Sequence, residues 1–321
     1  MSEKMKKKEL LIAVPTANHP KLIMFYLAKT LDIAREYNID MCIYDASTDE
    51  KTKMVVQKRI SQGYTNLMYK KYPANALLED RCEDIYVNSE YDYVWLCGDG
   101  CVLSIRKNID IIRDEMRKQK DIICLGNDTI YVDDYKEYTD SVEFCRECFT
   151  PSTYFGGVIL KGKLISKELF CYCKERYLEQ AVPAVYYELF KDGKIAATYI
   201  RQNFSEISVY KKHSVAKKQG RNIYAFAQLF TETIWKLPDI YNPIKKDLEK
   251  ALGRTTGMYS WCNLWLMRVE GNLNLKIYIK HRKYLKIASD TKQWMFLLVS
   301  ICPVAIAKKI AIYEGNFVYE L

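Results

Sequence analysis

Apolar and polar positions alternate along this chain with two periods. Short runs that are apolar almost throughout read as buried strands: "ELLIAV" at 9–14, "DMCIYD" ending at Asp45, "NLMYKKY", "YDYVWLC" and "DIICLG". Between them lie segments with helical spacing. In "KLIMFYLAKTLDIAREY" that spacing puts Leu22, Phe25 and Tyr26, and later Leu31 and Ile33, near one face. Asn18 suits the cap of this helix and Pro20 its first turn. Ser47 or Thr48 suits the cap of "DEKTKMVVQKRIS"; "ALLEDRCEDIYVNS" and "KNIDIIRDEMRKQ" continue the series. Strands alternating with helices at this spacing predict an α/β fold with a mostly parallel central sheet flanked by helices.

After residue 126 the pattern loosens. "TPSTYFGGVILKGKLIS" opens an apolar strand at Gly156-Gly157, "KELFCYCKERYLEQ" and "PAVYYELFKDG" look helical, and "KIAATYI" is a late strand. From about residue 211 the chain turns basic and helical. The expected division is an α/β domain over 1–250 and a basic, apolar helical tail over 251–321.

Charge sharpens this division. Residues 1–210 hold 30 Lys and Arg against 32 Asp and Glu, a balance of −2; residues 211–321 hold 19 against 8, a balance of +11. So lopsided a block suits phosphate, on nucleic acid or on a lipid headgroup. No nucleic-acid-binding motif accompanies it and the N-terminal half is slightly acidic, which argues against a nucleic-acid partner. The 11 cysteines, with an N-terminal apolar run too short for an export signal, imply reduced thiols in the cytoplasm. Cys145-x-x-Cys148 and Cys171-x-Cys173 lack a neighbouring His, and Cys-x-Cys is an unusual zinc spacing, so both read as ordinary thiols.

In sheets of this kind ligands sit at the carboxyl ends of the strands. Three such ends carry chemistry: Pro15–Asn18, Asp45–Asp49 and Cys97–Cys101. There is no G-x-G-x-x-G after the first strand and no G-x-x-x-x-G-K-[ST], so a dinucleotide or P-loop phosphate cradle is not expected. In "YVWLCGDGCVL" an apolar strand stops at one acid, Asp99, between Gly98 and Gly100.

Taken together, "VPTANHPKLI", "IYDASTD" and "YVWLCGDGCVL" resemble, in order and spacing, three motifs of family 2 glycosyltransferases with the GT-A fold. "YFGGVIL" resembles the later segment that shapes their acceptor side. The resemblance covers residues 9–105 and fades beyond about 200. It implies a Rossmann-like GT-A fold with a C-terminal helical extension, transferring sugar from a nucleotide donor, UDP above all, to a glycan or lipid-linked acceptor in surface polysaccharide synthesis, with inversion. Pro15, Thr16 and Asn18 would border the base, and Asp45 would bond uracil or ribose. Asp99 would hold Mn²⁺ or Mg²⁺ against the diphosphate, with the flanking glycines admitting the ion close to the backbone. Where the family reads G-D-D-D-V-L, this chain reads Gly98-Asp99-Gly100-Cys101-Val102-Leu103, so the metal would bind weakly. A weakened scaffold protein of a polysaccharide-assembly complex is the alternative.

An inverting transfer needs a carboxylate to take the acceptor proton. Glu188 is the preferred acid and Glu179 the other. His213, beside Lys211 and Lys212, is a candidate late metal ligand by the same resemblance. Finally, "WMFLLVSICPVAIA" at 294–307 is too short to span a bilayer and is interrupted by Pro303. "KIYIKHRKYLK" before it holds five Lys or Arg. With Trp261, Trp265 and Trp294, this pattern predicts a segment lying on the inner face of the cell membrane. The alternative is a helix buried on the catalytic domain or on a second copy in a homo-oligomer.

Overall fold

A computed structural model describes residues 8–126, 134–207 and 223–313. The chain divides into two compact units, Met1–Tyr210 and Lys211–Leu321. That division coincides with the step in charge, and it places the helices between 230 and 256 in the second unit.

Among its described residues the first unit is built on ten strands: β1 (Leu10–Thr16), β2 (Asp40–Asp45), β3 (Leu67–Lys71), β4 (Tyr93–Leu96), β5 (Cys101–Leu103), β6 (Ile122–Leu125), β7 (Tyr135–Asp140), β8 (Val158–Lys161), β9 (Lys194–Ile200) and β10 (Ser205–Ile207). Eight of them form one sheet in the order β3-β2-β1-β4-β8-β6-β9-β7, while β5 and β10 make a separate antiparallel pair. Only β7 and β8 run against the rest, so the sheet is mostly parallel, as the alternation of strands and helices predicts. Its helices are α1 (Pro20–Glu36), α2 (Lys51–Ser61), α3 (Leu78–Val87), α4 (Ile105–Arg117), α5 (Ser141–Ser152), α6 (Lys167–Tyr177) and α7 (Ala181–Leu189).

Every residue of β1 is buried. Leu10, Ile12 and Val14 join a core with Ile23, Tyr26 and Leu27 of α1 and Ile109 and Ile112 of α4. Leu11 and Ala13, equally buried, point to the other side of the pleat. Burial on both faces is why β1 reads as one apolar run rather than as an alternation. The inner face of α1 is Leu22, Ile23, Tyr26, Leu27, Thr30, Leu31 and Ala34; Phe25 and Ile33 lie at its margin.

Two expected caps are not formed. The N-cap of α1 is His19 and that of α2 is Glu50, neither with a side-chain bond to the helix. Asn18, Ser47 and Thr48 bond across the two loops instead. The strand β7, "YKEYTD", has no apolar signal because it is an exposed edge with only Tyr138 buried.

The second unit contains α8 (Phe230–Lys236), α9 (Lys245–Thr256), α10 (Trp261–Val269), α11 (Leu275–Ala288), α12 (Gln293–Ile301) and α13 (Val304–Tyr313). Its core gathers Leu264, Trp265, Leu285, Phe296, Val299, Ala307 and Ala311. Trp265 is therefore interior, edge-on to Trp261 at 5.1 Å, and does not serve a headgroup interface; Trp294 is exposed. As Pro303 predicts, the apolar segment breaks there, and the two helices meet at 117°. No single helix among the described residues is long and apolar enough to cross a bilayer.

Candidate functional site

Parallel register sets the site. Thr16 lies opposite Asp45, and Asp45 opposite Lys71. Ala13 lies opposite Leu96, so Asp99, three residues on, reaches the level of Thr16. Lys71, Asp45, Thr16 and Asp99 thus form a row across the carboxyl ends of β3, β2, β1 and β4.

Among the described residues Asp99 is bonded through one oxygen. Its Oδ2 accepts the Thr16 hydroxyl at 2.7 Å and meets His19 Nδ1 at 2.8 Å. The hydrogen bond to Asp99 raises the His19 pKa above its ordinary value; partial burial opposes this and the Asp99 charge adds to it. The turn closes through the Cys101 amide to Gly98 O at 3.0 Å. Gly98 is not in the left-handed region, and a Cβ there would meet only ordinary contacts, Phe155 Cβ at 3.6 Å and Cys101 Sγ at 3.8 Å. Neither chain geometry nor crowding therefore requires that glycine, whereas close approach by a ligand would.

Asp45 is wholly buried and bonded on both oxygens. Oδ1 accepts the Ser47 amide at 2.8 Å and the Ser47 hydroxyl; Oδ2 accepts Tyr69 Oη at 2.7 Å and lies 3.5 Å from Lys71 Nζ. A buried carboxylate needs such partners. Here they also shape the loop. Ser47 Oγ accepts the Asn18 amide at 2.8 Å, and Asn18 Oδ1 accepts the Thr48 amide and hydroxyl, both at 2.9 Å. Asn18 holds φ 59°, a left-handed conformation that Asn tolerates better than most residues. Pro15 is buried in β1 opposite Tyr44. Beneath the crevice the buried Arg81 guanidinium donates to the Thr16 carbonyl.

The structure thus brings Thr16, Asn18, Asp45 and Asp99 together at one edge of the sheet. Tyr69, Lys71, Arg81 and the pairing of His19 are additions that the sequence reading missed. Lys71 had a signal, since it ends β3 in the same way that Asp45 ends β2. Arg81 had none, because its role depends on how α3 docks.

The two candidate bases lie elsewhere, around the junction of α6 and α7. Glu188 is buried, accepts the Tyr177 hydroxyl and sits 3.8 Å from Arg176 Nε. Glu179 is exposed in the turn Leu178–Gln180, which Leu178 enters at φ 50°. Burial chiefly raises the pKa of Glu79, at the start of α3, and the Glu179 charge adds to this. Val182, Pro183 and Tyr186 of α7 line a small cavity with Leu96 at the end of β4 and Phe155. His213 lies outside the described residues.

Among the described residues no group of three His, Cys, Asp or Glu could hold a metal ion by itself. The Asp99 carboxylate offers a hard oxygen, and its neighbour Cys101 is soft. This donor set fits a divalent cation that takes its other ligands from a bound diphosphate.

No protein-family model matches the sequence, and no curated protein matches it. Among solved structures the chain is similar to residues 1–349 of TarS from S. aureus, at 10% identity over 97% of this chain and 93% of that one, with a TM-score of 0.49. It is also similar to TarS 1–349 in complex with UDP-GlcNAc, at 12% identity, the same coverages and a TM-score of 0.46. A third likeness is to the mannosyltransferase PcManGT from Pyrobaculum calidifontis in complex with GDP-Man and Mn²⁺, at 12% identity over 97% and 89%, with a TM-score of 0.47. Likeness at this level decides neither substrate nor mechanism, which rest on the site itself.

Proposed function

We propose that the first unit binds a nucleotide sugar, with UDP as carrier, along the carboxyl ends of β1, β2 and β4, and transfers the sugar with inversion to a hydroxyl of a glycan or lipid-linked acceptor. The observation that carries this reading is the row of Thr16, Asp45 and Asp99, with both loops bonded to each other and, among the described residues, one Asp99 oxygen left for a ligand. The three ordered motifs support it.

In this reading Pro15, Thr16 and Asn18 border the base. Asp45 acts from below by fixing Ser47 and Lys71. Asp99 would hold Mn²⁺ or Mg²⁺ together with the diphosphate. The cation, when bound, neutralises the departing diphosphate. Thr16 and His19 fix the Asp99 carboxylate, and the hydrogen bond to Asp99, which raises the His19 pKa, favours a charged imidazole beside the leaving group. Glu179 takes the acceptor proton as the new C–O bond forms at the anomeric carbon and the bond to phosphate breaks. Glu188 anchors Tyr177 and Arg176 behind it. The basic second unit would keep the enzyme at the inner face of the cell membrane.

Soaking crystals with a UDP-sugar and Mn²⁺ tests this reading. Nucleotide density beside Thr16 and Asp99 is the expected result; density elsewhere, or none at millimolar ligand, would overturn it. One observation favours a second reading as a weakened scaffold, namely Gly100 and Cys101 standing where the family motif has acids. Nucleotide binding without turnover on any glycan acceptor would select it.

A further inference from the structure

Folding divides the apolar segment of the second unit into two faces. Phe296, Val299, Ala307 and Ala311 are wholly buried in the unit's core. Their neighbours Leu298, Ile301, Val304 and Ile306 are 43%, 59%, 46% and 50% exposed. These four residues flank the 117° break between α12 and α13, so they form an apolar corner directed at solvent. Core packing accounts for the first set and leaves the second without a partner among the described residues. Exposed apolar residues grouped in this way at a helix break mark a docking surface.

The surrounding charge chooses the occupant. No Asp or Glu occurs between Thr291 and Tyr313, while Lys292, Lys308 and Lys309 border the corner. On α11, Lys276, Lys280, Arg282, Lys283 and Lys286 are all exposed. Asp290, the acid that precedes the segment, is occupied by Lys250 and Arg254, each at 2.7 Å. A second copy would bring the same excess of cations against this one. An anionic lipid surface complements it, accepting apolar side chains below the headgroups while lysines remain among the phosphates. Exposed Trp294 suits that boundary.

We infer that the corner formed by Leu298, Ile301, Val304 and Ile306 inserts into the headgroup layer of an anionic membrane, with Lys292, Lys308 and Lys309 on its phosphates. This inference rests on the membrane-side reading above and names the contact that would make it work.

The test uses the full chain and sedimentation with vesicles of phosphatidylcholine alone or with about 30% phosphatidylglycerol. The variants are Ile301→Glu/Ile306→Glu and, separately, Lys280→Glu/Lys283→Glu. Both pairs are exposed, and unchanged melting temperatures establish that the variants fold. The inference expects binding to anionic vesicles only, release by high salt, and at least a tenfold loss in the Ile301/Ile306 variant. If that variant binds as the parent does while the Lys280/Lys283 variant does not, the membrane reading stands and the corner is refuted. If the parent ignores anionic vesicles at low salt, both fail. If the parent forms a dimer that the Ile301/Ile306 variant abolishes, the corner belongs to a second copy and the inference is overturned.

Discussion

The Thr16 hydroxyl donates to the Asp99 carboxylate across 2.7 Å, although 83 positions separate the two in the chain. It ties the end of β1 to the loop after β4 and fixes which Asp99 oxygen faces inward. Thr16→Val keeps the shape and removes the donor. Loss of one such bond costs about 1 kcal/mol of folding stability, so the melting temperature should fall by about 2–4 °C, and nucleotide affinity should fall because the Asp99 carboxylate is no longer held. Calorimetric titration with UDP measures this, and unchanged affinity would mean that the contact is not part of the site.

Asp99→Ala should abolish transfer and leave the fold intact, because the side chain lies past a strand end and its removal opens no core cavity. Full turnover by this variant in the presence of a chelator would refute the metal role. Cys101→Asp restores a hard ligand and should tighten Mn²⁺ binding in the presence of UDP, read by electron paramagnetic resonance.

Glu179 and Glu188 should separate cleanly. If Glu179 is the base, Glu179→Gln lowers kcat by about 10²- to 10⁴-fold without changing stability. Glu188→Gln weakens the buried arrangement around Tyr177 and Arg176 and should destabilise the unit by about 1–3 kcal/mol. A large kcat loss in Glu188→Gln with unchanged stability and KM would reverse the assignment.

Gly157 admits no side chain, since a Cβ there would lie 2.3 Å from the Pro151 carbonyl oxygen. Backbone cannot retreat as a flexible side chain can. Gly157→Ala should therefore lower stability by about 1–3 kcal/mol or more, seen as reduced melting temperature and soluble yield. A fully stable variant would show that the strand β8 can shift.

Asp290 gives a pH effect of definite sign. Hydrogen bonds from Arg254 and then Lys250 lower its pKa to about 2 in the folded chain. A carboxylate depressed in this way stabilises the fold above its unfolded pKa of about 3.9, and that contribution is lost as pH falls toward 2. The pair is exposed and screened, so the contribution is at most about 1 kcal/mol. Asp290→Asn should lose that stability at pH 7 and equal the parent near pH 2, as denaturant titration at the two pH values would show.

What the sequence determined by itself is local. Buried strands such as "ELLIAV" and "YVWLC" announce themselves because both of their faces are covered, and helices such as α1 because one face is. These periods also locate the strand ends, and so Thr16, Asp45 and Asp99. The polar edge strand β7 and the short pair β5–β10 carried no such signal, because their hydrogen bonds depend on a neighbour rather than on their own composition. Tertiary structure alone decided that Asp45 is sealed between Ser47, Tyr69 and Lys71, that His19 pairs with Asp99, and that Arg81 reaches the Thr16 carbonyl. It likewise decided that Phe296 turns inward while Ile301 stays in solvent. Periodicity reports which side of an element is buried, whereas the partner on that side is set by strand register and helix docking between residues far apart in the chain.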